Sequence, residues 1–478
     1  MINHRKKEVW LRCTTTVAAF VVLLFSARSA LAAGSSGFVA DISSLWVLVA
    51  AALVFLMQAG FMAFEVGMVR IKNAPVTALK NVADWMVVGL FFYLVGFGLM
   101  FGQSQSGFLG TSLFLGEGVD TAVAASGGAT HLSWVFVLFQ LAFCGTAMTI
   151  VSGAVAERTG LTAYLVFGAI MAVLIYPLFG HWAWGNLYLG DGNEGWLARL
   201  GFRDFAGSSV VHCIGGWAAL AAIQVIGPRM GRYSTAGKLT PLQSNGIHWS
   251  ALGTLILWFG WWGFNGGSSL AFNGDVGPII LNTNLSGAAA ALVGLLHGTV
   301  IQKRKLLEAK FLGSTLAGLV GITGCADVVS PQAAIAVGAG AAILHNHALD
   351  WVTVKLKLDD VVGAVPVHAA AGVWGCLCVA IFGDADALAH DRITQLGIQA
   401  LGCLVAFVWA YGLSWVAFTV MKHTVGVRVD PMKEIRGLTL DATEEDEAVE
   451  EPLGAEDEGE LLAQIREQFS ERERFDQY

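Results

Sequence analysis

Two segments of this sequence place the same residue types at the same spacing. Asp204-Phe205-Ala206-Gly207-Ser208-Ser209-Val210-Val211-His212 and Asp360-Val361-Val362-Gly363-Ala364-Val365-Pro366-Val367-His368 both fit D-x2-G-x4-H, and both carry valine just before the histidine. Glycine follows each histidine by four residues, at Gly216 and Gly372. An imidazole accepts a proton at one nitrogen while donating from the other, so the matched histidines His212 and His368 are candidate functional residues. The aspartates have a plainer chemistry open to them, because a carboxylate at the first turn of a helix accepts from free amide N–H groups. That is the reading for Asp360. Asp204, just beyond an aromatic-rich loop, suits both capping and the attraction of a cation.

Membrane helices must position these residues. Of 478 residues, 55% are hydrophobic and only 13% charged, and the mean hydropathy is +0.63. Soluble domains average about a quarter charged residues, so this chain meets hydrocarbon over most of its surface. The net charge of −8 describes a tail: residues 441–478 hold 15 acidic and 3 basic residues, leaving the rest net positive. Nothing in that distribution points to nucleic acid as a partner. Seven cysteines sit in apolar stretches without the spacing of a metal cluster or a disulfide framework, so neither is expected.

Residues 1–33 read as a signal peptide, with a basic start, an apolar middle and the small-residue ending Ala30-Leu31-Ala32. After it, eleven apolar segments are expected to span: Ile42–Val69, Trp85–Phe101, Leu132–Val155, Leu161–Trp184, Phe205–Val225, Ile247–Ala271, Gly287–Ile301, Phe311–Gly324, Pro331–Leu344, Val361–Phe382 and Leu396–Met421. With the first entering from outside, the inside loops hold seventeen Lys and Arg, Lys80, Arg158, Arg229 and Lys310 among them, against Arg199, Arg203 and Arg392 outside. That positive-inside asymmetry puts the mature N-terminus outside and the tail in the cytoplasm.

The two histidine segments are five spans apart, an odd number, so they enter the bilayer from opposite faces. Such inverted repeats place a site near the midplane. Eight helical residues at ~1.5 Å each carry a histidine roughly 12 Å inward, and in a core ~30 Å thick His212 and His368 then approach one another. The expected fold class is an all-α membrane protein of eleven transmembrane helices, an inverted five-plus-five repeat with a peripheral eleventh helix. His248 and His297, which lack this symmetry, read as packing residues.

At these positions the chain resembles the ammonium transporter family, the Amt, methylammonium permease and Rhesus group, over about Asp41 to Leu440. Phe139-Gln140-Leu141-Ala142-Phe143, then Gly153-Ala154-Val155-Ala156-Glu157-Arg158-Thr159, is similar to the family's third-span signature. Trp258-Phe259-Gly260-Trp261-Trp262-Gly263-Phe264-Asn265-Gly266-Gly267-Ser268 is similar to its sixth-span signature. The resemblance implies an outer recruitment site of Phe143, Trp184 and Ser268, with Asp204 nearby. Below it the resemblance implies a gate of Phe143 and Phe264 with Trp261, and then a His212/His368 proton relay. It further implies a homotrimer with one pore per subunit in the inner (plasma) membrane. Its substrate would be ammonium or ammonia, with methylammonium as analogue, and it would act as a transporter, not an enzyme, without cofactor or metal.

The domains expected are the signal peptide 1–33, a transmembrane transporter domain 34–421, a cytoplasmic regulatory segment 422–440 and an acidic tail 441–478, in which Leu461–Phe475 could form an amphipathic helix. A nitrogen-signalling protein of the PII class is a candidate partner on the cytoplasmic face. Gln58-Ala59-Gly60-Phe61, with Glu65, departs from the Pro-Gly version of the first span, and Gly363 stands where some members carry a second aspartate. Glu65 is expected to pair with Arg70 or Arg158. The competing function is a membrane ammonium sensor signalling through its tail.

Overall fold

In a lipid-embedded bundle, small residues let helix backbones approach, and the glycines of this chain are used in that way. The computed structural model describes residues 36–303 and 306–439. Its long helices are α1 (Ser36–Met68), α2 (Ile71–Phe101), α3 (Trp134–Ala154), α4 (Leu161–Trp184), α5 (Ser208–Ile226) and α6 (Ile247–Gly267). They continue with α7 (Val276–Ile301), α8 (Leu307–Thr323), α9 (Pro331–Asp350), α10 (Val365–Phe382) and α11 (Arg392–His423). The short helix α12 (Pro431–Arg436) closes the described chain. Helices α1 and α6 pack along their length, and at Gly253 an added Cβ would meet the backbone nitrogen of Phe64 at 2.4 Å. A two-stranded ribbon, Ser104–Gln105 with Leu109–Gly110, lies between α2 and α3.

Among the described residues, eight helices are long and apolar enough to cross a membrane. Of the eleven expected spans, those at α6, α8 and α9 fall outside that set. The boundaries correct the second expected span. Its helix starts at Ile71, not Trp85, and carries Lys80 and Asp84 into the bundle. Lys80, expected in an inside loop, is buried and donates to the Ser152 carbonyl at 3.0 Å. Lys310, also expected in a loop, is buried in α8 and pairs with Asp350 at 3.0 Å. Hydropathy alone could not place these cations, because a buried charge is tolerated only where partners from other helices meet it.

At the end of the bundle that carries α12, buried ions tie the loops together. Glu157 takes Arg229 at 2.5 Å, Asn73 at 2.8 Å and also Arg70. Asp359 takes Arg229 at 2.8 Å and Arg232 at 3.2 Å. Burial by itself would raise the Asp359 carboxyl, but the guanidinium groups of Arg229 and Arg158 outweigh it and hold the acid well below its ordinary value. Glu157 is lowered in the same way, against its burial, by Arg229 and Arg70. Arg158 donates to the carbonyls of Ala154, Ala156, Gly227 and Asp359. The C-terminal segment docks on this layer: Val429 donates to the Arg158 carbonyl, and Glu434 accepts from Arg428 and from the Met230 amide, each at 2.7 Å.

The expected signal peptide, the acidic tail and the Leu461–Phe475 helix lie outside the described residues.

Candidate functional site

Each residue of the repeated D-x2-G-x4-H motif has a structural task, and the two copies share it. The Asp204 carboxylate accepts from the amides of Gly207, Ser208, Ser209 and Val210 and from the Ser209 hydroxyl. Asp360 accepts from the amides of Ala364 and Val365 at 2.9 and 2.8 Å. Both aspartates therefore cap the helix that follows, satisfying donors that would otherwise be orphaned in the bundle. Gly207 and Gly363 have φ of 111° and 75°, the left-handed region that a residue with a Cβ adopts at a cost. Each histidine then lies in a turn of π-helix, Ser208–Cys213 or Val365–Ala370, a wide turn often found at functional sites.

The glycines after the histidines set how closely the segments cross. A Cβ on Gly216 would stand 2.4 Å from the Ala369 nitrogen, and one on Gly372 would stand 2.5 Å from the Ser208 carbonyl oxygen. Each glycine thus abuts the other copy's histidine turn. The crossing brings Nδ1 of His212 and Nδ1 of His368 to 3.1 Å, with ring centroids 5.2 Å apart. Both rings are buried, and Nε2 of His212 has no hydrogen-bond partner among the described residues. Leaving such an atom unpaired costs about 1–3 kcal/mol, so it calls for an explanation beyond packing.

On the other side of His212 the rings continue. Its imidazole stacks on Phe264 at 5.5 Å and on Trp261 at 5.3 Å between centroids. Phe264 stacks on Phe143 at 4.0 Å and 19°, and Phe143 meets Trp184 edge-on at 6.2 Å. Trp184, Phe143, Phe264, His212 and His368 thus form one column, buried throughout. The Trp184 indole donates to the Asp204 carbonyl at 2.6 Å, and the Trp261 indole to the Thr323 hydroxyl at 2.8 Å. Ser268 lies one turn beyond Phe264 and gives its proton to the Phe264 carbonyl at 2.8 Å, which leaves its oxygen lone pairs as acceptors.

This geometry joins the expected residues from α3, α4, α5, α6 and α10. The sequence matches the ammonium transporter family over residues 45–448. The chain belongs to the ammonium transporter family. A relative, the ammonium transporter Amt2 of Archaeoglobus fulgidus, is 37% identical over 83% of this chain and 86% of its own. Among solved structures, a sensor Amt protein superposes with a TM-score of 0.82 and 42% identity, covering 85% of this chain and 99% of that one. The Mep2 protein of Candida albicans gives a TM-score of 0.73 at 28% identity, covering 82% and 86%.

Three neighbours of the column in this ammonium transporter family member were not among the expected site residues. Thr323 fixes the Trp261 indole, Phe139 leans on Phe143 at 4.6 Å, and Phe61 lies 6.2 Å from the His368 ring. Phe139 and Phe61 stand in segments already conspicuous for their aromatics, whereas a threonine at the end of an apolar run gives no signal. The expected pairing of Glu65 with Arg70 or Arg158 does not form. Arg70 is taken by Glu157 and Arg158 by backbone carbonyls, and Glu65 accepts from Ser152 and Asn81. Among the described residues no cluster of metal-ligating side chains occurs.

Proposed function

We propose that this chain transports ammonium by taking it apart. Ammonium is recruited by the faces of Phe143 and Trp184 and by the Ser268 oxygen, loses its proton, and crosses the Phe143/Phe264 gate and Trp261 as ammonia. His212 and His368 pass the proton. The observation that carries this reading is the buried ring column ending in two imidazole nitrogens 3.1 Å apart. An aromatic face attracts a cation by about 0.5–2 kcal/mol. Taking an ion out of water costs of order 20 kcal/mol in the idealised limit. An intact ion is therefore excluded from the column, while neutral ammonia is not. Asp204 acts at the outer site by holding the Trp184 indole on its carbonyl and the His212 turn on its carboxylate.

The bundle is proposed as eleven spans in an inverted five-plus-five repeat with a peripheral eleventh, N-terminus outside and tail in the cytoplasm. It would sit in the plasma membrane as a homotrimer, after removal of a signal peptide, with the α12 face open to a regulator of the PII class. Support comes from the matched capping, left-handed glycine and π-turn of the two histidine segments and from the cationic loops at the α12 end. Reconstituted chain on a solid-supported membrane should give a sustained inward current after an ammonium pulse.

The similarity to a solved sensor Amt protein favours a second reading, in which ammonium binds and the tail signals. Binding without sustained charge movement would establish that reading instead.

A further inference from the structure

Beyond His368, on the side away from the gate, lies a cavity walled by Phe61, Phe64, Glu65, Thr149 and His368. Glu65 sits there with only 1% of its surface exposed. One of its oxygens, Oε2, accepts from the Ser152 hydroxyl at 2.9 Å and from the Asn81 amide at 3.1 Å. The other, Oε1, is buried without a hydrogen-bond partner among the described residues. Among the described residues no cation neutralises it by direct contact: Lys80 donates to the Ser152 carbonyl and stands 5.1 Å over the Tyr164 ring. Asp84 is on the Thr149 hydroxyl at 3.0 Å, and the arginines beyond are taken by Glu157, Asp359 and backbone carbonyls. Gly153 keeps the space open, since a Cβ there would stand 3.4 Å from the Glu65 side chain and 2.5 Å from Val362.

A carboxylate anchored through one oxygen, with the other unpaired among the described residues, beside a cavity that a histidine also lines, is arranged to receive a proton. We propose that Glu65 is the inner proton acceptor of the pathway. His368 imidazolium gives its proton to the Glu65 carboxylate, leaving neutral imidazole and a carboxylic acid. The acid then protonates ammonia arriving in the cavity, which restores the carboxylate and releases ammonium. The proton that left ammonium at the outer site is thereby returned, and charge and atoms balance. This proposal rests on the transport reading above.

The test uses full chain in liposomes on a solid-supported membrane, with Glu65→Gln and Glu65→Asp beside the parent. Glutamine keeps an acceptor for Ser152 and Asn81 but cannot take the proton. The expected result is a sustained ammonium current at least tenfold smaller in Glu65→Gln, with the half-saturating ammonium concentration and the thermal unfolding midpoint of the parent. Glu65→Asp should recover part of the current. Parental current in Glu65→Gln overturns the proposal and leaves the transport reading intact, whereas a parent without sustained current removes both. If Glu65→Gln fails to assemble, Glu65→Asp decides: partial current upholds the role, and an assembled aspartate variant with no current above empty liposomes overturns it.

Discussion

Nδ1 of His212 and Nδ1 of His368 face each other at 3.1 Å. Two acceptors do not bond, so one of these nitrogens carries the hydrogen and the other receives it, and the two imidazoles hold different tautomers. Passing a proton through the pair exchanges their roles. Replacing His212 with aspartate puts a carboxylate that retains water at this point of the column and gives a small cation a polar partner. His212→Asp should therefore conduct potassium, read as a potassium current absent from the parent. Unchanged rejection of potassium would count against the relay.

Gly216 and Gly372 hold the crossing. Their absent Cβ atoms would fall 2.4 and 2.5 Å from backbone atoms of the opposite histidine turn, which cannot move aside as a flexible side chain does. Gly216→Ala or Gly372→Ala should wedge the segments apart, costing about 1–3 kcal/mol as overpacking does. Ammonium current should fall by more than the amount of folded protein. Gly363→Ala is the control, because its Cβ would meet only Leu349 at 3.5 Å and pays the left-handed conformation alone.

Trp184 meets Phe143 edge-on and is tethered to the Asp204 carbonyl. Trp184→Leu removes an aromatic face worth about 0.5–2 kcal/mol to a cation. The half-saturating methylammonium concentration should rise between about 2- and 30-fold, at roughly 1.4 kcal/mol per tenfold. The maximal current should hold. A dose-response series with an unshifted midpoint would remove Trp184 from the recruitment site.

The ion layer under α12 should make stability acid-sensitive. Asp359 and Glu157 are held ionised in the fold, below their ordinary values, by Arg229 and its neighbours in spite of burial. A carboxyl lowered in the folded state contributes fully above its unfolded value of about 4 and loses that contribution as pH falls through its folded value. The thermal midpoint should hold from pH 7 to about 5 and drop below pH 4. Asp359→Asn should unfold more easily at pH 7, because Arg229 loses a buried partner, and should show a flatter acid slope. An acid slope equal to the parent's would assign the loss to other groups.

Glu434 accepts from Arg428 and from the Met230 amide, and so locks α12 against the loop after α5. Glu434→Ala should release that segment, read as faster proteolysis within residues 427–438 while the bundle's unfolding midpoint stays near that of the parent. Equal protection would show that the Val427 and Val429 backbone contacts suffice.

Much of this molecule was legible from residue order because its determinants are local. Apolar runs of bilayer length mark helices, and a repeat of eight-residue spacing singled out His212 and His368, whose rings meet in the fold. The aspartate caps were readable for the same reason: a carboxylate acts on amides within six residues of itself. The meeting of Phe143 and Phe264 followed only from resemblance.

What the tertiary structure alone decided concerns groups whose partners are remote in sequence. Lys80 and Lys310 count as loop cations until other helices supply Ser152 and Asp350, which admit them to the interior. Glu65 looked like the partner of Arg70 or Arg158 by proximity, yet Glu157 claims Arg70, backbone carbonyls including those of Gly227 and Asp359 claim Arg158, and Glu65 is left lining a cavity. Gly216 and Gly372 were visible as matched letters, but their purpose is a backbone crossing that exists only when α5 and α10 pack. The physical reason is common to all three: burial makes electrostatics and steric fit depend on whichever atoms the fold brings within a few ångströms, and residue order does not specify those neighbours.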